Sequence, residues 1–103
     1  YYEWEQYVFV HVGVDLGKKD WHDSSEEDFL WIREPFHKKK NRSGKTIVFG
    51  HTPTFYLHGD NDRSDLWISD DKIGIDGGAV YGGSLHGVVF DKTGLKADHI
   101  IQK

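Results

Sequence analysis

The sequence predicts an α+β fold made mostly of mixed or antiparallel β-sheet with one or two short helices. Short runs of β-branched and aromatic residues are separated by glycine-rich turns, as in strands joined by tight connections. Helix-forming sequence is confined to one segment, between Ser24 and Arg33. The length of 103 residues allows one domain at most.

Apolar runs predict strands in both halves of the chain. In the first half, residues 7–12 and 46–50 are nearly continuous in apolar residues, which is typical of strands buried on both faces. The second half contains shorter runs, which predict strands over residues 66–69, 72–75, 84–90 and 97–101. Loops and turns are predicted for the connections, at residues 51–65, 70–71, 77–83 and 92–94.

One helix is predicted between the two long apolar runs. Ser24 followed by Glu27 has the form of a capping box, which marks the start of a helix. Pro35 predicts that this helix ends near Arg33, because the residue before a proline avoids the helical region. The basic stretch that follows, residues 37–45, is predicted to be a loop.

Composition excludes several classes of function. The 13 basic and 17 acidic residues give a net charge of −4. This charge argues against a dedicated nucleic-acid binder, because binding to phosphates requires a basic protein surface. The absence of cysteine removes disulfides, zinc ribbons and thiol nucleophiles. There is no signal-peptide pattern and no apolar run of about 20 residues, so we expect a cytoplasmic protein without a membrane segment. The chain contains no methionine, and its start at Tyr1 predicts that it is part of a longer protein.

Two histidines follow apolar runs in similar sequence contexts. His11 lies at the end of the first predicted strand, and His51 directly follows Gly50 at the end of the second. The carboxyl ends of such strands are where α/β folds hold ligands, and imidazole is a common metal ligand and proton carrier. Taken alone, each histidine is more often a structural residue packed near the core.

Two further features have the chemistry to bind phosphate. Arg33 carries a guanidinium, which either holds a phosphate through paired hydrogen bonds or forms a surface ion pair with Glu34. The glycine-rich stretch over residues 74–83 either lets the backbone approach a phosphate or is a tight connection between strands. It does not match the dinucleotide-binding pattern of glycines.

Four short motifs occur in order along the chain: VHVG at residues 10–13, WIRE at 31–34, GHTP at 50–53 and IDGGAVYGGSL at 75–85. Together they resemble the carboxyl-terminal half of the calcineurin-like metallophosphoesterases. The most similar group is the bacterial and phage serine/threonine protein phosphatases, with diadenosine tetraphosphate hydrolases as relatives. The resemblance covers nearly the whole chain.

The resemblance implies a role for four residues. His11 and His51 match the two histidines that bind the second metal of the family's dinuclear centre, and Arg33 matches the arginine that holds the substrate phosphate. Tyr81 matches an aromatic residue that lines the active-site cleft. The implied cofactors are two divalent metal ions, with manganese ahead of iron or zinc.

Two positions depart from the family pattern. Val12 replaces the usual Ala or Gly and adds bulk beside a metal ligand. Gly77 replaces the usual Thr and removes a hydroxyl beside the glycine turn. Neither change removes a ligand, so we expect them to affect only the local geometry of the site.

The family's other metal ligands come from D-x-H, G-D-x-x-D-R and G-N-H-[DE] motifs that lie upstream of the matched region, and we expect this chain to lack them. Residues 1–103 are therefore expected to form a single partial domain, the carboxyl-terminal half of the catalytic domain. That half is one side of a four-layer α/β/β/α sandwich. We expect the missing amino-terminal half, or self-association with another copy of the chain, to cover an exposed apolar face, or else the chain to be only marginally stable by itself.

The resemblance implies a metal-dependent phosphoprotein phosphatase. Such an enzyme hydrolyses phosphate monoesters with a metal-bound hydroxide at a dinuclear centre, while Arg33 holds and neutralises the phosphoryl oxygens. The implied substrates are phosphorylated proteins or small phosphate esters, and the isolated chain is expected to be inactive because it carries about half of the site. The alternatives are a phosphoesterase like the diadenosine tetraphosphate hydrolases, a non-catalytic binding module that retains the fold, and a structural fragment in which His11 and His51 merely pack.

Overall fold

A five-stranded mixed sheet forms the centre of the fold in the computed structural model, which describes residues 1–32 and 34–102. The three central strands are parallel to one another, and each edge strand runs antiparallel to its neighbour. The carboxyl ends of the three central strands therefore meet at one edge of the sheet. In the spatial order β1-β2-β3-β5-β4, the strands are β1 (Tyr2–Trp4), β2 (Tyr7–Val10), β3 (Thr46–Phe49), β5 (Lys72–Gly74) and β4 (Trp67–Ser69).

The last two strands, β6 (Leu85–Asp91) and β7 (Gly94–Gln102), form an antiparallel hairpin outside the mixed sheet. The hairpin packs on one face of that sheet through Phe90, whose ring centroid lies 5.0 Å from that of Tyr7 and 5.8 Å from that of Phe9. The described residues also form three short helices: α1 (Glu26–Trp31), α2 (Glu34–Lys38) and α3 (Thr54–His58). The predicted α+β class is confirmed, with one helix more than expected. None of these helices is long and apolar enough to cross a membrane.

Helix α1 is capped one residue later than the sequence predicted. Ser25 Oγ accepts a hydrogen bond from Asp28 N at 3.0 Å, and the Asp28 carboxylate accepts one from Ser25 N at 3.1 Å. The capping box is therefore formed by Ser25 and Asp28, and the predicted pair of Ser24 and Glu27 is wrong. Ser24 is buried instead, and its hydroxyl donates to Trp21 O at 2.6 Å.

Pro35 lies at the start of a helix rather than just beyond the end of one. It is the second residue of α2, where the missing N–H leaves no intrahelical hydrogen bond unmade. The predicted basic loop over residues 37–45 is consequently wrong at its start, because His37 and Lys38 form the last turn of α2. The predicted helix end near Arg33 lies outside the described residues.

Three elements differ from the prediction. β1 precedes the first predicted strand and forms a hairpin with β2, in which Glu5 has a φ of 53°. α3 lies inside the predicted connection over residues 51–65 and is ended by Gly59, whose φ of 68° is in the left-handed region. β7 begins at Gly94 rather than at Ala97.

The mixed sheet has apolar clusters on both faces, as the continuous apolar runs predicted. Successive side chains of a strand point to opposite faces, so Ile47 and Phe49 of β3 belong to one cluster and Val48 belongs to the other. The helix-covered face carries the larger cluster, formed by Val8, Val14, Trp21, Phe36, Ile47 and Phe49. The hairpin-covered face carries the smaller one, formed by Tyr7, Val48 and Ile73.

Candidate functional site

Two histidines from neighbouring strands meet at the carboxyl edge of the mixed sheet. His11 directly follows β2, and His51 follows Gly50 just after β3. Because β2 and β3 are parallel and end side by side, the two imidazole centroids lie 4.8 Å apart with an angle of 57° between the rings. The ladder extends to these residues, since Gly50 N donates to His11 O at 3.0 Å.

His51 has a strained backbone conformation. Its φ of 66° lies in the left-handed region, which costs a non-glycine residue about 1–2 kcal/mol. A hydrogen bond from Thr52 N to Gly50 O at 2.7 Å closes the turn around it. Such strain persists only where the surrounding structure holds it, and it is concentrated at functional sites. The strained turn therefore marks His51 as a candidate functional residue, independently of its residue type.

The histidine pair fits one part of a metal centre. Both residues are exposed, and imidazole is a ligand for manganese, iron and zinc. Rings this close can supply two ligands to one ion. Within residues 1–32 and 34–102, however, no group of three or more His, Asp or Glu side chains could hold an ion. A complete centre built on this pair would need further ligands.

Asp20 and His22 have the D-x-H spacing that the sequence was expected to lack. Asp20 directly precedes a single 3-10 turn over Trp21–Asp23, and His22 lies within it. Both residues are separated in the sequence from His11 and His51. Both nitrogens of His22 contact carboxylates: Nδ1 lies 2.7 Å from Asp20 Oδ1 and Nε2 lies 3.0 Å from Glu3 Oε1. The hydrogen bonds to Glu3 and Asp20 raise the pKa of His22. This cluster is a hydrogen-bonded ion pair network that ties β1 to the turn.

An aspartate that the sequence analysis did not single out organises the loops of the site. Asp76 follows β5, the third parallel strand, and its Oδ1 accepts a hydrogen bond from Gly78 N at 2.9 Å. Its carbonyl oxygen accepts another from Thr54 N at 2.7 Å, at the start of α3. Asp76 thus fastens the glycine turn to the segment after His51. The signal in the sequence was an Asp two residues before a Gly, which is typical of a side-chain-closed turn.

The glycine turn is a tight connection in which several backbone N–H groups donate within the turn. Gly83 N donates to Gly78 O at 2.9 Å and Ser84 N donates to Gly77 O at 3.0 Å, so these donors already have partners. A Cβ on Gly77 would collide with Ser84 O and would lie 2.8 Å from the imidazole of His86. A side chain larger than that of glycine at position 77 is therefore excluded by contacts within this chain.

Tyr81 and His51 line the same cavity. The cavity has a volume of about 390 Å³, and its walls include Thr52, Phe55 and Tyr56. Tyr81 is 75% exposed, and its ring meets that of Phe55 edge-on with centroids 6.2 Å apart. Tyr81 therefore shares a cavity with one of the two histidines.

Helix α2 forms another wall of this cavity and is held by a buried lysine. Glu34 and His37 of α2 line the cavity. Lys72 Nζ donates to His37 O at 3.2 Å and also to Lys39 O, so it caps the carbonyl groups at the end of the helix. Burial lowers the pKa of Lys72. The position of this wall therefore depends on one charged side chain beneath it.

Three of the four predicted site residues lie in one region. His11 contacts His51, and His51 shares the cavity with Tyr81. Arg33 lies outside the described residues, directly before the cavity residue Glu34 in the sequence. Val12 is fully buried, so its side chain packs in the core and not in the cavity.

Comparison of the chain with protein-family models, curated proteins and solved structures finds no match. The residues at the carboxyl edge of the sheet provide two adjacent imidazoles, a strained turn and a cavity with aromatic walls.

Proposed function

We propose that this chain carries part of the active site of a metal-dependent phosphoesterase of the serine/threonine protein phosphatase type. The observation that supports this most strongly is the pair of His11 and His51. Their sequence positions are far apart, yet their ring centroids lie 4.8 Å from each other where two parallel strands end. Paired imidazoles at such an edge suit a divalent ion, and the order of the four motifs suits this class of enzyme.

Each residue has one task in the proposed site. His11 and His51 bind one of two divalent ions, which we propose to be manganese, with iron or zinc as alternatives. Such ions, when bound, activate the attacking water and neutralise charge on the phosphate. Arg33 holds the phosphate oxygens through its guanidinium. Tyr81 forms the wall that faces the alcohol part of the ester.

The proposed centre needs groups beyond those described in this chain. A dinuclear site places two ions about 3.5–4 Å apart and needs ligands for both, which two imidazoles do not supply. We propose that an amino-terminal half of the same domain supplies these ligands and packs on the hairpin-covered face as the other side of a four-layer sandwich. The isolated chain is accordingly expected to hydrolyse neither phosphoproteins nor small phosphate esters.

Coupled binding of metal and phosphate tests this proposal. The chain is titrated with Mn²⁺ by calorimetry, with and without inorganic phosphate, as wild type and as the variants Arg33→Ala and Arg42→Ala. Arg42 is exposed in the basic stretch and serves as the matched control. We expect phosphate to tighten Mn²⁺ binding by about fivefold or more in wild type and in Arg42→Ala, because two ligands that contact each other share a coupling free energy. In Arg33→Ala this coupling should be lost.

Three results would change the proposal. Mn²⁺ binding that survives both His11→Ala and His51→Ala would remove the proposed centre. Binding at the two histidines without any coupling to phosphate would favour a non-catalytic metal-binding module. Robust turnover of 4-nitrophenyl phosphate by the pure chain would contradict the claim that half of the site is missing.

A further inference from the structure

A second cavity lies between the loop after β2 and the basic stretch after α2. Its volume is about 360 Å³, which is within the range of small-molecule sites. Lys18 and Lys19 line it from the first segment, and Arg42 lines it from the second. Lys39 adds a fourth cation, because a Cβ on the lining residue Gly17 would lie 2.9 Å from Lys39 Nζ. We call this the cationic cavity.

The positive charges at the cationic cavity are not paired with acidic side chains. In the part of the chain that the structure describes, none of these four side chains has a carboxylate oxygen within 3.9 Å. Apart from Lys40, which adjoins Lys39 in the sequence, the other described lysines and arginines each have one. These paired residues are Lys38, Lys45, Arg63, Lys72, Lys92 and Lys96. A chain with a net charge of −4 therefore gathers its unpaired cations around one cavity.

The acidic residues that flank the first loop have other partners. Asp15 Oδ1 accepts a hydrogen bond from Gly17 N at 2.9 Å, and Asp20 Oδ1 lies 2.7 Å from Nδ1 of His22. A surface that serves only solubility has both signs of charge interspersed. A cleft lined by one sign of charge concentrates the electrostatic field and attracts ions of the opposite sign. The arrangement around the cationic cavity is of this second kind.

Hydrogen bonds hold the backbone on both sides of the cationic cavity. Arg42 lies between Asn41 and Ser43, and Ser43 N donates to Asn41 Oδ1 at 3.0 Å. In the other loop, Lys18 N donates to Asp15 O at 3.2 Å. The backbone that carries the cations is thus already ordered. Binding of an anion therefore needs to order only the ends of the side chains, which lowers its entropic cost.

We propose that the cationic cavity binds a small, multiply charged oxyanion, such as a chain of two or three phosphate groups. Several negative charges match the four cations, and a guanidinium holds two oxygens of one phosphate through paired hydrogen bonds. The volume of the cavity suits a small molecule better than a protein segment. The cavity shares no lining residue with the one beside His51, and the site needs no metal ion. The inference therefore does not rest on the proposed function.

Titration of the full chain in the presence of EDTA tests the inference, because the histidine pair then holds no metal ion. The probes are inorganic triphosphate, inorganic phosphate, adenosine triphosphate and a peptide of six aspartates, and binding is followed by amide NMR. We expect triphosphate to bind at least about tenfold more tightly than phosphate, because more of its charges contact cations. The amide signals of residues 17–19 and 42–43 should shift first, and the affinity should fall as salt is added.

Variants that each remove one charge test which residues bind. Lys18→Gln, Lys39→Gln and Arg42→Gln should each weaken triphosphate binding by about threefold or more. Lys92→Gln is the matched control, because the Lys92 side chain is 72% exposed and paired with Glu5. None of the three variants should lower the melting temperature, because each relieves repulsion between like charges.

Two results would overturn this site. A loss of triphosphate affinity that is as large in Lys92→Gln as in the other variants would show that only the overall charge matters. Tighter binding of the aspartate peptide than of triphosphate would assign the surface to an acidic protein segment. Equal affinities for adenosine triphosphate and inorganic triphosphate would support an inorganic ligand, whereas tighter binding of adenosine triphosphate would support an organic one. The coupling between Mn²⁺ and phosphate at the histidine pair should persist in all these variants, so the two proposals can fail separately.

Discussion

The two faces of the mixed sheet are built from the same strands but are covered to different degrees. On the helix-covered face, Phe36 is fully buried and meets Phe49 edge-on, with ring centroids 5.0 Å apart. On the hairpin-covered face, a cavity of about 510 Å³ stays open beside the hairpin. Its lining is apolar and includes Tyr2, Trp4, Phe9, Val48, Ile75 and Phe90.

The difference shows that one hairpin closes less of a sheet face than a layer of helices. Tyr2 remains 63% exposed and Val89 remains 48% exposed on this side. Contiguous exposed apolar surface of this kind marks a place where something else packs. In the proposed function, the amino-terminal half of the domain would cover it. The difference in closure also predicts how strongly substitutions on each face affect stability.

The largest effect is expected from truncation on the helix-covered face. Phe36→Ala should lower the free energy of unfolding by about 3–5 kcal/mol, because it leaves a cavity in a closed cluster. Phe90→Ala on the hairpin-covered face should lower it by only about 1–2 kcal/mol, because that ring is partly exposed and less apolar area is lost. Denaturant unfolding of both variants measures the two values. Equal losses would mean that the hairpin closes its face as well as the helices close theirs.

A smaller loss of stability is expected when Lys72, a charged residue buried on the helix-covered face, is replaced. Lys72→Met keeps the apolar stem but leaves His37 O and Lys39 O without the donor that caps α2. The free energy of unfolding should fall by about 1–3 kcal/mol. Lys92→Met is the control, because the Lys92 side chain is 72% exposed and its loss should change little. An unchanged stability for Lys72→Met would show that water caps the helix just as well.

On the hairpin-covered face, hydrogen bonds add to the stability that apolar packing provides. Tyr7 Oη donates to Asp91 O at 2.6 Å and so ties β2 to the end of β6. Tyr7→Phe should lower the free energy of unfolding by about 1 kcal/mol and speed amide exchange in the hairpin before it does so in β3. Tyr2→Phe, at an exposed position, should change neither. Uniform acceleration of exchange in sheet and hairpin would contradict a separately anchored hairpin.

The smallest effect is expected at the outer edge of the sheet, where His22 bridges Glu3 and Asp20. Hydrogen bonds to the two carboxylates raise the pKa of His22 above 6.5. The contribution of His22 to the free energy of unfolding is therefore complete below pH 6.5 and is lost as the pH rises through the raised pKa. The pKa values of Glu3 and Asp20 are lowered by their hydrogen bonds to His22, so their contributions are lost on acidification below 4.5 and 3.8. The stability difference between wild type and His22→Gln should therefore shrink as the pH rises above about 6.5. A difference that is constant over this range in thermal unfolding would contradict a charged His22.

Much of the sheet could be predicted because its strands are apolar on both faces. β2 and β3 stand out as runs around Val8 and Val48, and each ends next to a histidine. Helix α3 could not be predicted, because Thr54–His58 makes one turn whose start is fixed by a hydrogen bond to the distant Asp76. The predicted α1 cap was wrong by one residue, because Ser24 and Ser25 are both suitable and only the buried hydrogen bond from the Ser24 hydroxyl to Trp21 O distinguishes them.

The candidate site could be predicted in part for the same reasons. The approach of His11 and His51 follows from two parallel strands that end together, which sequence context can suggest. The roles of Asp76 and Gly77 could not be found in this way, because they depend on contacts between loops that only the folded chain brings together. The role of Arg33 stays a prediction.

The central claim is that His11 and His51 together bind a divalent ion, and paramagnetic broadening by Mn²⁺ tests it most directly. The side-chain NMR signals of the seven histidines are followed while Mn²⁺ is added at substoichiometric amounts. We expect the signals of His11 and His51 to broaden first, and we expect either single alanine variant to protect the remaining partner, while His99→Ala has no effect. Broadening that is equal for all seven histidines, or that persists at His51 in His11→Ala, would show that the two rings only pack against each other.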